Sequence, residues 1–343
     1  MIIIIFKYFI KGVINLPIIF FSIIKHFLIG LIVTLTIIPK YFILGIKSIF
    51  NKKTNDELKV NNKPLIPIMM ISLSLFIYFL SVFLFSRWYV QGLKLKYLTN
   101  DIISSTEVIE KIEEKEEENS SENNENNNEE SDDNNENDAT YYPNDYWDYI
   151  NVPYIDVNFN SLIQKNSDTV AWLKVEGTNV NYPVVQTTDN SYYLSHDYRK
   201  NANAGGWVFG DYRSNFNDFK KNTIIYGHNL NNKTMFGSIP DSVLSSKWQK
   251  NENNHIVKMS TPTSNTIWKI FSVYTIEPEI YYLKTAFSTE TFQKFIDTIK
   301  NRSVYNFNTD ITTDDKILTL STYDNIGTKR VVVHAKLVKI EQK

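Results

Sequence analysis

Residues 65–86, LIPIMMISLSLFIYFLSVFLFS, run for 22 positions without a charged side chain. As a helix, that run is about 33 Å long, close to the thickness of a bilayer's hydrocarbon core. Hydrocarbon offers no partner to a bare peptide group, so such a run satisfies its own backbone as a helix. The run therefore predicts one transmembrane helix over 65–86. Lys40, Lys47, Lys52, Lys53, Lys59 and Lys63 precede it, whereas Arg87, Lys94 and Lys96 follow closely. This lysine excess predicts a cytoplasmic N-terminal side and an external C-terminal part. Residues 1–50 are also apolar but are interrupted by Lys7, Lys11, Lys25 and Lys40. Their uncharged runs are short for clean spans, so a membrane hairpin and an interfacial helix both stay open. No short apolar run ends at a small-residue cleavage site, which argues against a signal peptide.

The next segment, 104–140, contains EKIEEKEEENSSENNENNNEESDDNNENDAT. It is Glu, Asn, Asp and Ser with almost no apolar side chains. Such a chain buries too little surface to offset its conformational entropy, so a disordered acidic linker is expected. Its reach as a flexible coil is roughly 30 Å, and like-charge repulsion extends it. The ligand spacing of an EF-hand is absent.

Residues 141–343 predict one folded, mainly β domain. TVAWLKV, NVNYPVVQ, GWVFGDY, NTIIYGH, HIVKMST, NTIWKIFSVYTI, KILTLST and KRVVVHAKLVKI are β-branched and aromatic runs separated by Asn, Asp, Gly and Thr. The clearest helix is STETFQKFIDTIKNR, 288–302, with a Ser288 or Thr289 cap and Phe292, Phe295, Ile296 and Ile299 on one face. Many strands with few helices predict a closed or nearly closed β-barrel with helices at its rim. A formal net charge of −2 argues against a nucleic-acid partner. The chain has no cysteine, which excludes disulfides, thiolate metal sites and cysteine catalysis together. His196, His228, His255 and His334 are scattered without ligand spacing, so no metal and no cofactor is expected.

Two stretches carry candidate chemistry. In IIYGHNL, His228 stands where a strand gives way to a loop, a position from which an imidazole can act as acid or base. In KILTLSTY, alternation sets Ile317, Thr319, Ser321 and Tyr323 on one face and Leu318, Leu320 and Thr322 on the other. If the next strand pairs with it as a hairpin, Arg330 lies near Tyr323 and can bind a carbonyl or an oxyanion. His334 and Lys336 share a face with Arg330 and read as exterior strand residues. From spacing alone, Arg330 reads equally well as a solubilising edge charge.

Taken together, WLKVEGTNVNYPVVQ, YYLSHDY, GGWVFGDYR, IIYGHNL, MFGSI and TLSTYDNIGTKRVVVHAKL resemble the sortases, and class B sortases most closely. The resemblance implies a β-barrel of about eight strands with added helices, anchored in the cell membrane of Gram-positive bacteria. It implies cysteine transpeptidation: a thiol attacks a backbone carbonyl of an NPxTN- or LPxTG-like sorting signal, and an amine of peptidoglycan or a pilin resolves the thioester. By position it puts the family His on His228 and the family Arg on Arg330, with Ser321, Thr322 and Asn229 as substrate contacts. The family Cys falls on Tyr323.

A phenol is a poor replacement for a thiol. Its reference pKa is near 10 against about 8.5, so roughly one in a thousand is ionised at neutral pH. The ring also fills the space a scissile carbonyl would need. Ser321 lies roughly 7 Å back along the strand, beyond the reach of a base placed for position 323. Three readings stay open: a pseudo-sortase, an active transpeptidase with an unusual nucleophile or a single-base codon change at 323, and a structural cell-surface domain.

Overall fold

The alternating runs of residues 169–342 pair edge to edge until the sheet closes on itself. In the computed structural model, which describes residues 59–60, 63–111 and 146–343, the elements that matter for the site are the following. Helix α1 is Leu65–Ser104; strand β1, Val108–Lys111, pairs with β2, Tyr154–Val157; helix α2 is Asn160–Lys165. Then come β3 (Thr169–Val175), β4 (Asn181–Val185), β5 (Phe209–Gly210), β6 (Asn222–Tyr226), β7 (Ile256–Ser260) and β8 (Ser264–Ile276). Helix α3, Thr289–Asn301, precedes β9 (Ile317–Tyr323) and β10 (Arg330–Gln342). The barrel runs β8-β10-β9-β6-β5-β4-β3-β7 and closes from β7 back to β8. The eight-stranded, mainly β architecture expected from the sequence is therefore the observed one.

The chain divides into two units, Met1–Val90 and Gln91–Lys343. In the first, α1 begins at Leu65, and the described apolar side chains around Leu73–Tyr89 are exposed. By length and composition, the helix from Phe76 onward suffices to cross a membrane. The apolar region 1–50 lies outside the described residues.

In the second unit, the end of α1 contributes Leu95 and Ile102 to the core, together with Trp172, Trp207, Trp268 and Phe236. The folded part thus begins near residue 91, not at 141. The linker boundary also moves. Val108–Lys111 is a strand, not disordered chain, paired in register from Val108 opposite Val157 to Lys111 opposite Tyr154. The acidic side chains there find cations: Glu110 meets Lys174 at 2.9 Å and Lys258 at 3.3 Å. Residues 112–140 of the expected linker lie outside the described residues.

Helix α3 covers the outside of the barrel wall. Its predicted cap is present as a reciprocal capping box between Ser288 and Thr291. Phe292, Phe295, Ile296 and Ile299 pack on Phe271, Tyr274, Ile317 and Val332, a second apolar layer outside the barrel core. Burial of each such side chain contributes roughly 1.5–3 kcal/mol. GWVFGDY yields only the two-residue strand β5, because Trp207 turns inward and donates its indole N–H to the Pro183 carbonyl at 2.9 Å.

Candidate active site

Strand pairing alone gathers the candidate residues. β9 pairs antiparallel with β10 and parallel with β6, so three neighbouring strands share one register. On the outer face of the wall, Ser321 lies opposite Val332 and Tyr226; Thr319 lies opposite His334 and Ile224; Ile317 lies opposite Lys336 and Asn222. At the top, Tyr323 lies opposite Arg330. The Gly227 N–H donates to the Ser321 carbonyl at 3.3 Å and carries the parallel register past the end of β6. Beyond the Tyr226–Ser321 pair β6 ends, and His228 follows two residues later in the loop that leaves this end of the strand. Tyr323 and Arg330 thus face each other at the end of β9 and β10, and the loop bearing His228 leaves the same end of the neighbouring β6; these three are called the row below.

Each member has a distinct environment. A Cβ on Gly227 would sit 2.6 Å from the Phe236 ring, so this turn requires glycine just before the histidine. His228 Nε2 lies 2.9 Å from the Leu194 carbonyl. A carbonyl only accepts, so Nε2–H is the donor of that bond. Leu194 ends a short turn held by Tyr192, whose ring stacks on His196 at 4.1 Å. Arg330 stacks its guanidinium on the Tyr323 ring, 3.5 Å from the centroid. Tyr323 is 37% exposed.

The expected substrate contacts separate. Ser321 faces outward but is buried, with its hydroxyl 3.0 Å from the Tyr282 hydroxyl. Thr322 pairs with Val331, whose side chain belongs to the barrel core, so Thr322 points to the opposite side of the wall from Tyr323. A substrate-contacting role for Thr322 does not fit this placement, and strand alternation is the reason. Asn229 donates to Asn325 Oδ1 at 3.0 Å, and Asn325 donates to Asp241 at 2.7 Å. Asn229 therefore ties the loop after His228 to the β9–β10 turn. Lys233, and after it Asn325, hold the Asp241 carboxyl below the usual range.

Below the row, the same wall is polar and buried. His334, expected on the strand exterior, does lie outside the barrel but beneath α3, with no exposed surface. Its Nδ1 is 2.9 Å from the Thr319 hydroxyl, and its Nε2 is 2.9 Å from the Tyr274 hydroxyl. Thr319 donates to Asn222 Oδ1 at 2.6 Å, so it accepts from Nδ1–H, and Tyr274 donates to bare Nε2. Burial, then the positive Arg302, lowers the His334 pKa to about 3, so the ring is neutral. Lys336 is likewise buried and donates to the Asp310 carbonyl at 2.8 Å.

Sequence reasoning missed Tyr282. It lies in a short turn between β8 and α3, held because Asn222 Nδ2 donates to the carbonyls of Tyr282 at 3.2 Å and Lys284 at 2.8 Å. Burial raises its pKa, opposed by Ser321 and by the positive charge of Arg330. No local pattern marks it: IYYL reads as ordinary apolar chain, and only the fold brings it to the row.

A sortase-domain family model matches residues 173–338, a segment that holds the whole row. Sortase B of Staphylococcus aureus is 34% identical over 186 residues, covering 53% of this chain and 75% of that protein. Sortase B of Listeria monocytogenes is 34% identical over 182 residues, covering 50% and 71%. Among solved structures, the S. aureus sortase B–substrate complex aligns with a TM-score of 0.49 at 34% identity, covering 53% of this chain and 84% of that one. With a third of the aligned positions identical across most of two sortase B proteins, and with its barrel, this chain belongs to the sortase family as a class B sortase-like member.

Proposed function

We propose that this chain is a membrane-anchored, class B sortase-like protein that binds sorting-signal peptides and does not cleave them. The observation that carries this reading is Tyr323. It occupies the strand-end position opposite Arg330, where the resemblance puts the family Cys, in a chain that contains no cysteine. A sortase-type reaction needs a nucleophile in that place; a phenol is weakly ionised, and here its ring lies flat against the guanidinium. Ser321 is a poor substitute, because its hydroxyl is buried against Tyr282. Two groups support binding of NPxTN- or LPxTG-like peptides in this reading: the His228 imidazole in the loop after β6 and the Arg330 guanidinium at the start of β10.

In this reading, residues 65–86 form the span and the barrel lies outside the cell. Peptidoglycan or pilin amines are then partners held nearby, not acceptors of an acyl group. The test uses the full chain in detergent micelles with NPxTN- and LPxTG-type peptides and an oligoglycine amine, followed by mass spectrometry and fluorescence anisotropy. Saturable binding without cleavage is expected. Turnover that disappears in Ser321→Ala or Tyr323→Phe contradicts the proposal.

A further inference from the structure

Arg330 stands apart from the other arginines of the barrel unit. Arg199 pairs with Asp101 at 2.7 Å, Arg213 with Asp211 at 2.7 Å, and Arg302 with Glu279. Even the neighbouring Lys329 pairs with Glu277 at 3.0 Å. Among the described residues, no carboxylate lies within ion-pair distance of Arg330, and its buried Nη1 has no hydrogen-bond partner. One face of the guanidinium is covered by the Tyr323 ring. A partly buried cation without a counter-charge is costly, and the deficit is one of charge as well as of hydrogen bonds.

A neutral carbonyl would supply the hydrogen bond only. In thiol chemistry the charge arrives when attack turns the carbonyl into an oxyanion, and this chain has no thiol to make one. The anion must then be present in the ligand as it binds. We propose that Arg330 binds the free C-terminal carboxylate of a peptide, two oxygens on the in-plane edge of the guanidinium, beside the Tyr282 hydroxyl. This rests on the peptide-binding reading above and names the end of the peptide that is held. The site then selects chains that already end in a carboxylate over uncut sorting signals. Tyr323 governs access: its hydroxyl makes no hydrogen bond among the described residues, and with 37% of its surface exposed the ring turns aside to uncover Nη1.

The test compares three fluorescent peptides on the full chain in detergent micelles: NPxT ending in a carboxylate, the same peptide ending in an amide, and amidated NPxTN. The acid is expected to bind about 10- to 100-fold more tightly than either amide, from the strength of charge-assisted hydrogen bonds. The preference should shrink with added salt and vanish in Arg330→Gln. Arg330→Lys, which keeps the charge without the bidentate edge, should retain part of it, and this variant serves if the glutamine variant melts early. Equal binding of all three peptides, or an acid preference that survives Arg330→Gln, overturns the carboxylate proposal and leaves peptide binding standing. Binding of none of the three overturns peptide binding itself.

Discussion

Two levels of one strand pair treat polar side chains in opposite ways. At the upper level, Arg330 faces Tyr323 with an unused buried N–H and, among the described residues, no carboxylate within ion-pair distance, and half-buried His228 has one nitrogen bonded. Four residues further along β10, His334 has both nitrogens bonded, and its partners Tyr274, Thr319 and Asn222 complete a chain that ends on the carbonyls of Tyr282 and Lys284. Both levels share the same outer face and register. The lower level is closed chemistry, and its role is to seat the Tyr282 turn beneath the row. The upper level is open, which is the mark of a place that expects a ligand. A histidine fully satisfied within the protein is structural, while an arginine left short of charge points outward to a partner.

The contrast yields a graded set of expectations. The largest stability effect belongs to His334→Leu, which leaves the buried Tyr274 O–H without its acceptor and removes the N–H that Thr319 accepts; urea unfolding should show a loss of about 3 kcal/mol. The pH dependence has a definite sign. Burial depresses the folded pKa of His334 to about 3, while the unfolded ring titrates near 6.5. Between those values the unfolded state binds the extra proton, so the stabilising contribution is complete above pH 6.5 and declines as pH falls toward 3. His334→Leu should flatten that part of the stability curve.

Asn222→Ala comes next, at about 2 kcal/mol, because it removes the acceptor of Thr319 and the donor to two carbonyls together. Ser288→Ala, which breaks the capping box of α3, should cost about 1 kcal/mol in the same unfolding measurement. The smallest effect should be that of Arg330→Gln, under about 1 kcal/mol, since the stacking on Tyr323 is lost but no ion pair is. A cost above about 2 kcal/mol for Arg330→Gln would erase the distinction between the two levels.

Much of this was readable in the residues, and the remainder was hidden for physical reasons. The strand runs are long and strongly β-branched, so β3, β4, β6, β7, β8, β9 and β10 were expected close to where they lie. Alternation along KILTLSTY put Tyr323 and Ser321 on one face, and the hairpin assumption brought Arg330 opposite Tyr323, as the register shows. Three features lay beyond local pattern. Val108–Lys111 looks solvated until Lys174 and Lys258 from distant strands neutralise Glu110. His334 looked exterior because its face of the barrel is outward, and only the docking of α3 makes that face a second core. Tyr282 reaches Ser321 through a turn whose position depends on Asn222, 60 residues earlier.

The most direct measurement is the fate of sorting peptides on the full chain carrying Tyr323→Cys, read by mass spectrometry beside the unaltered protein. A thiol placed at that strand end lies opposite the guanidinium, at the end of the sheet where the loop bearing the imidazole begins. The expected result is a covalent acyl intermediate and cleaved peptide in the cysteine variant alone. Cleavage by the unaltered protein would contradict the account, because the row would then hold a working nucleophile that is not a thiol.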